Sequence, residues 1–195
     1  MSDLASKFFK YRSYTPIPFV LLMLFFINAN IWSLIIGFLL ALSGELIRLW
    51  GVSWAGSETR TTGAVGGTFL IVSGPFARVR NPLYVGNIIM YFGLGIMSYA
   101  LFPYLQIIAL AFFVVQYHYI VKAEEGYLRQ TFGRDYEAYT KNVPRFLPRL
   151  TAYKVVDVTQ PPFNLKAGLR SERRTFQALG FISLLIIVLW FLRRF

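Results

Sequence analysis

Three stretches of this chain carry no charged side chain: Ser13 to Gly44 (32 residues), Asn81 to Val121 (41 residues) and Thr175 to Leu192 (18 residues). A charge at mid-bilayer is costly, and a helix needs ~20 residues to cross ~30 Å of hydrocarbon, so such windows read as membrane spans. The first window is too long for one straight helix. Asn28-Ala29-Asn30 is its natural turn, which predicts a hairpin with one helix from about Lys10 to Ile27 and another from Ile31 to about Trp50. The second window fits two spans that reverse over Ser98 to Pro103, and the third fits one. The expected fold is all-α and integral to a membrane, with about five transmembrane helices. No small-x-small cleavage site follows the first apolar stretch, so a cleaved signal peptide is not expected.

Composition agrees: 56% of residues are hydrophobic and only 15% charged, against roughly a quarter charged in soluble domains. With no Cys and one His, a disulfide framework, a thiolate zinc site, a cysteine nucleophile and a multi-histidine metal site are all excluded, and no metal site is expected. The net charge of +11 follows from topology. If the N-terminus is cytoplasmic, 18 of the 20 Lys and Arg fall inside and only Arg193 and Arg194 outside, as basic residues in short loops do. A basic cytoplasmic face attracts anionic membrane lipids, and no nucleic-acid partner is expected.

Polar chemistry has two places to sit, both at the cytoplasmic interface. One is Ser57 to Gly86, which contains Gly63, Gly66 and Gly67, a short β-favouring run Thr68 to Val72, Ser73-Gly74-Pro75-Phe76 and then Arg78 to Gly86. By itself Asn81-Pro82 reads as an N-cap and first helical residue of the third span, with Arg78 and Arg80 reaching to phosphates. The other is the end of the fourth span. There His118, Lys122 and Glu125 share one helical face, and Tyr117 and Glu124 the neighbouring one. Leu128, Phe132, Tyr136 and Tyr139 then suggest an interfacial amphipathic helix interrupted near Gly133 and ending at Asn142. Val143 to Pro148, with two prolines, cannot be helical and reads as a lid or edge on the membrane. Residues 151 to 170 read as an extended linker around Pro161-Pro162.

Together these pieces resemble a family. Leu70-Ile71-Val72-Ser73-Gly74-Pro75-Phe76 with Val79-Arg80-Asn81-Pro82-Leu83-Tyr84-Val85-Gly86 forms one block; Glu124-Glu125, Phe132-Gly133, Tyr136, Tyr139 and Val143-Pro144-Arg145 with Pro148 form the second. This is similar to the signature of the isoprenylcysteine carboxyl methyltransferase and phospholipid methyltransferase superfamily, over about residues 66 to 148. The resemblance implies methyl transfer from S-adenosylmethionine to a lipid or lipid-linked acceptor, in a cofactor pocket on the cytoplasmic face. It implies cofactor-binding roles for Arg80, Asn81, Pro82, Tyr84, Gly86, Gly93, Gly95, Glu124 and Glu125. Gly93-Leu94-Gly95 stands where the phospholipid enzymes have a Gly-x-Gly, although in a membrane helix the same pattern is also a packing notch. If the acceptor must lose a proton, His118 or Glu125 is the candidate base. Aromatics such as Tyr84, Tyr91, Phe92 and Tyr117 offer a cation–π wall to a sulfonium.

The expected organisation is an N-terminal transmembrane hairpin (1–50), a methyltransferase core with spans three and four and interfacial helices (51–150), and a linker with the last span (151–195). Two departures from the pattern stand out. Asn81 replaces the usual His, keeping hydrogen-bonding capacity but not a titrating ring, and the Arg that commonly precedes the double Glu in the prenylcysteine enzymes is absent. A non-catalytic membrane subunit keeping the fold and an NADPH-dependent membrane reductase of sterol-reductase type are the alternative readings; an oligomer or a complex with a partner is compatible with each of them.

Overall fold

The computed structural model describes residues 3–56, 69–154 and 158–194. Its elements in chain order are α1 (Asp3–Tyr11), α2 (Pro16–Phe25), α3 (Ile31–Ala55), a short 3-10 helix (Gly74–Ala77), α4 (Pro82–Ser98), α5 (Tyr104–Asn142) and α6 (Leu165–Arg194). Among the described residues there is no strand, and the fold is that of an all-α integral membrane protein. Helices α3, α5 and α6 are long and apolar enough to cross a bilayer, while α2 and α4 are shorter apolar helices.

Five apolar segments are therefore present, but the first is not the continuous helix expected from Lys10 to Ile27. The chain turns over residues 12–15, and α2 is 10 residues long, roughly 15 Å, half the ~30 Å of hydrocarbon. Pro16 is the reason: it has no N–H to continue α1 and its ring clashes with the carbonyl four residues back, so it starts a new helix instead. Thr15 secures the turn, its single hydroxyl proton shared between two acceptors, the Arg12 carbonyl (3.1 Å) and the buried Gln116 Oε1 on α5 (3.0 Å). At the other end of the hairpin Asn30 opens α3 with a capping box: its side chain accepts from the Trp32 and Ser33 amides, and Ser33 Oγ accepts from the Asn30 amide. Arg193 of α6 donates to the carbonyls of Ile27 (3.0 Å) and Phe25 (2.9 Å), satisfying the C-terminal end of α2.

The centre of the bundle is the α3/α4 pair. In lipid, helices gain little by burying apolar surface against each other, so close backbone approach through small residues does the work. A Cβ at Gly93 would lie 2.3 Å from the Ala41 backbone nitrogen, and one at Gly86 would lie 2.6 Å from the Gly44 carbonyl oxygen. Gly93→Val is therefore expected to cost about 1–3 kcal/mol or more through overpacking, read as a lowered unfolding temperature of the detergent-solubilised protein; an unchanged midpoint would refute this contact.

Helix α5 has 39 residues, roughly 58 Å, so its apolar first half suffices to span and the half beyond Lys122 projects past the bilayer. It breaks at Gly133 (φ 46°) and ends at Asn142. The segment that follows runs back beside residues 77–81 and is tied to them: Arg80 N donates to the Pro144 carbonyl (2.9 Å), Arg149 N to Arg78 (3.0 Å) and Tyr153 N to Ala77 (2.8 Å). The expected β-run is not a strand over its described part, 69–72; Thr68 and Gly63, Gly66 and Gly67 lie outside the described residues. Gln160 takes the place of a pairing strand, its amide accepting from Val72 N (2.8 Å) and donating to the Leu70 carbonyl (2.9 Å).

The last helix begins earlier than the sequence suggests. Asn164, not residue 170, ends the linker: its Oδ1 accepts from Ala167 N (2.9 Å), while its own N–H donates to the Ser53 carbonyl (2.8 Å). Five charged residues expected in the linker or at its edge, Lys166, Arg170, Glu172, Arg173 and Arg174, are thus helical.

Candidate functional site

The start of α4 and the half of α5 beyond Lys122 meet. Arg80 enters as the 3-10 helix hands over to α4, and its Nη1 lies 3.3 Å from Glu125 Oε1 with both side chains largely buried. Arg145, from the segment after α5, forks onto the same carboxylate, Nε on Oε1 (3.1 Å) and Nη2 on Oε2. Two guanidiniums on one carboxylate hold three chain segments in register. Asn81 is not an N-cap by its side chain; its Nδ2 donates across to the Arg145 carbonyl (3.1 Å), because the segment after α5 reaches it first. One turn into α4, the Tyr84 hydroxyl donates to Glu124 Oε1 at 2.6 Å.

Beside these contacts is a cavity of about 670 Å³, lined by Arg80, Asn81, Pro82, Tyr84 and Glu124, by Tyr91 and Tyr117, and by apolar groups that include Leu70, Phe76 and Met90. Tyr84 and Tyr117 lie ring against ring at 4.7 Å. Within α5, Tyr117, Glu124 and Leu128 are spaced seven and four apart, so one face of the helix supplies all three to the wall.

Several expected site residues lie elsewhere. Gly86 and Gly93 face α3, where backbone fills the space a ligand would need, and Gly95 faces Gln106 and Met23. Residues two apart on a helix point roughly 200° apart, so Gly93 and Gly95 cannot both line one pocket; the Gly-x-Gly is a packing notch. His118 is exposed, edge-on to Tyr119, and does not line the cavity. It shares its face with Glu125, but only Glu125 is covered, because the Arg145 segment crosses α5 at that level and not one turn pair earlier.

The sequence reading missed a second charged centre. Arg48 of α3 donates from Nε to Glu45 (3.2 Å), from Nη2 to Glu172 of α6 (2.8 Å) and from Nη1 to Asn87 of α4 (2.5 Å). Both carboxylates are fully buried, and Arg48, Asn87 and Glu172 line the same cavity. Glu45 lies 14 residues into an apolar helix, roughly 21 Å along its axis, and an ionisable group at such depth is itself a signal of function. Glu45 merely ended a charge-free window, and Glu172 fell between the supposed linker and the last window, so neither was paired.

The phospholipid methyltransferase family model matches residues 32–135. Two curated relatives are the cobalt-zinc-cadmium resistance protein CzcN of Cupriavidus metallidurans, 32% identical over 107 residues (55% of this chain, 45% of the relative), and the nickel-cobalt-cadmium resistance protein NccN of Alcaligenes xylosoxydans xylosoxydans, 28% identical over 121 residues (62% and 53%). The chain spans about half the length of these relatives. No solved structure matches it. With the family match covering both the α3/α4 pair and the Arg80–Glu125 junction, the chain belongs to the phospholipid methyltransferase family.

Proposed function

We propose that this chain transfers a methyl group from S-adenosylmethionine to a lipid or lipid-linked acceptor, with the cavity and the N-terminus on the cytoplasmic side. The observation that carries this reading is the convergence of Arg80, Asn81 and Tyr84 from the start of α4 with Glu124 of α5 on one cavity.

The residues present fit the cofactor. Its ammonium and carboxylate call for acidic and basic partners, and the cavity volume of about 670 Å³ lies within the ~300–1,000 Å³ usual for small-molecule sites. Arg80 Nε is buried on the cavity wall without a hydrogen-bond partner, a donor suited to a carboxylate or hydroxyl. Glu124 spends one lone pair on Tyr84 and keeps the rest for an ammonium. When bound, the cofactor supplies an electrophilic methyl group. What remains for the chain is alignment and exclusion of water: the Tyr84 and Tyr117 rings offer π-faces to a cation, and the apolar lining keeps the space dry.

The two adjacent acids divide the labour. Glu125, held by Arg80 and Arg145, is a positioning residue; Glu124 is the acid that lines the cavity. Should the acceptor lose a proton, Glu124 and Glu172 are carboxylates on the cavity wall, a place His118 does not occupy.

Titration of detergent-purified protein with S-adenosylhomocysteine tests the reading. Wild type is expected to bind, and Glu124→Gln to bind roughly 10–100-fold more weakly, as loss of a charge-assisted hydrogen bond of about 1.5–3 kcal/mol requires. Labelled-methyl incorporation into extracted membrane lipids should fall in parallel. Absence of binding to wild type would overturn the proposal, and preference for a nicotinamide dinucleotide would replace it with the reductase.

A further inference from the structure

The arginines on the cavity wall are not all held in ion pairs. Four arginines line it: Arg12, Arg48, Arg80 and Arg174. Arg48 and Arg80 are spent on Glu45, Glu172 and Glu125. Arg12 and Arg174 make no ion pair among the described residues. Glu124 feels the charge of Arg12 without forming a salt bridge to it. Glu172 is two positions from Arg174 on α6, roughly 200° around the helix, and is turned instead to Arg48.

Arg12 is also fixed in place. Its guanidinium lies 3.9 Å from the Phe9 ring centroid and its Nη1 donates to the Phe9 carbonyl at 2.7 Å. A guanidinium has five N–H donors in a rigid fork, so most of them stay uncommitted in a side chain whose ordering cost has already been met by Phe9. Arg174 is exposed and lines the same cavity. Both residues come from outside the segment that the family model matches, 32–135.

We propose that Arg12 and Arg174 form an oxyanion subsite of this cavity, taking a phosphate or carboxylate group of the bound ligand. Two ligands bring that chemistry to a cavity at a membrane interface: a lipid headgroup phosphate, and the carboxylate of a cofactor of the S-adenosylmethionine type. Guanidiniums on the cavity wall that make no ion pair of their own suit either, because charge-assisted, bidentate contacts to such oxygens are the strongest that arginine makes. The subsite stands on these two arginines, which line the cavity without an ion pair, and not on the methyl-transfer reading.

The test uses the full chain in detergent, with Arg12→Gln/Arg174→Gln compared with a control of equal charge loss, Arg170→Gln/Arg173→Gln. Retention of phosphatidic acid against diacylglycerol is measured by native mass spectrometry, and affinity for S-adenosylhomocysteine against methylthioadenosine, which lacks the amino-acid tail, by calorimetry. If the oxyanion is lipid phosphate, the cavity variant loses its preference for phosphatidic acid about tenfold or more and keeps its nucleoside affinity. If it is the cofactor carboxylate, S-adenosylhomocysteine weakens about tenfold or more and methylthioadenosine does not. Unchanged values in both arms, or equal losses in the control, would overturn the subsite. Failure of wild type to bind either nucleoside would remove the transfer reading and leave the lipid arm to decide this one.

Discussion

Glu125→Ala is expected to lower the unfolding temperature markedly and to abolish S-adenosylhomocysteine binding, whereas Glu124→Ala should weaken binding with little loss of stability. Removing Glu125 leaves two guanidiniums, Arg80 and Arg145, facing the space their shared carboxylate occupied. Breaking a buried ion pair from one side costs about 3–5 kcal/mol, because the surviving charge is stranded out of water. Here the Arg145 side chain is 33% exposed and can turn to solvent, so about 2–3 kcal/mol is the better expectation, a fall of roughly 5–10 °C for a chain of this size. Arg80 cannot escape as easily, being 13% exposed and anchored by its backbone to Pro144. Adding Arg145→Ala to Glu125→Ala should restore part of the stability but not the binding, since Arg80 would no longer be aimed at the cavity. A Glu125→Ala protein as stable as wild type that still binds would refute the positioning role; equal behaviour of the two glutamate variants would refute the division of labour.

Much of this junction was legible in the sequence because it is built from local signals. Asn-Pro begins α4, Gly133 breaks α5, and the prolines after Val143 force an extended return, so the Arg80 segment and the twin acids had to fall at the same end of a short hairpin of spans. The turn at Asn28 to Asn30 was equally readable, since Asn30 caps α3 through its own side chain. What could not be read was anything set by contact between distant helices. Gly93 and Gly95 have the same local meaning in sequence, and only the presence of Ala41 against one and Gln106 against the other separates them from a ligand site. His118 shares a helical face with Glu125, and periodicity alone cannot say that one is covered and the other open. The start of α6 escaped because its first turns carry Arg170, Glu172, Arg173 and Arg174, a composition that looks like a solvated linker until Arg48 is seen 124 positions earlier in the chain, holding Glu172.

That pairing sets the other large effect. Arg48→Met should destabilise this protein more than any surface arginine change and should loosen α6 from α3 and α4. The substitution leaves Glu45 and Glu172, both fully buried, facing each other without the guanidinium that joins them, and removes the donor to Asn87. The cost is of the order of 3–5 kcal/mol, undiscounted because both carboxylates are fully buried. The sign reverses when the charges leave together: Glu45→Gln/Arg48→Met/Glu172→Gln is expected to recover most of the loss, since a fully removed buried ion network is often neutral for stability. Helix docking can be read directly in a chain that has no native cysteine. Ser53 and Gly168 meet where α6 starts, a Cβ at Gly168 lying 3.1 Å from that of Ser53, a few tenths of an ångström inside the ~3.5–4.5 Å of a disulfide, so Ser53→Cys/Gly168→Cys should crosslink on oxidation once the two helices part by that much. In the Arg48→Met background the crosslink should form slowly or not at all, and in the triple variant it should return. Crosslinking at the wild-type rate with Arg48 gone would mean that α6 is held by its apolar face alone, and that the buried charges serve the cavity and not the fold.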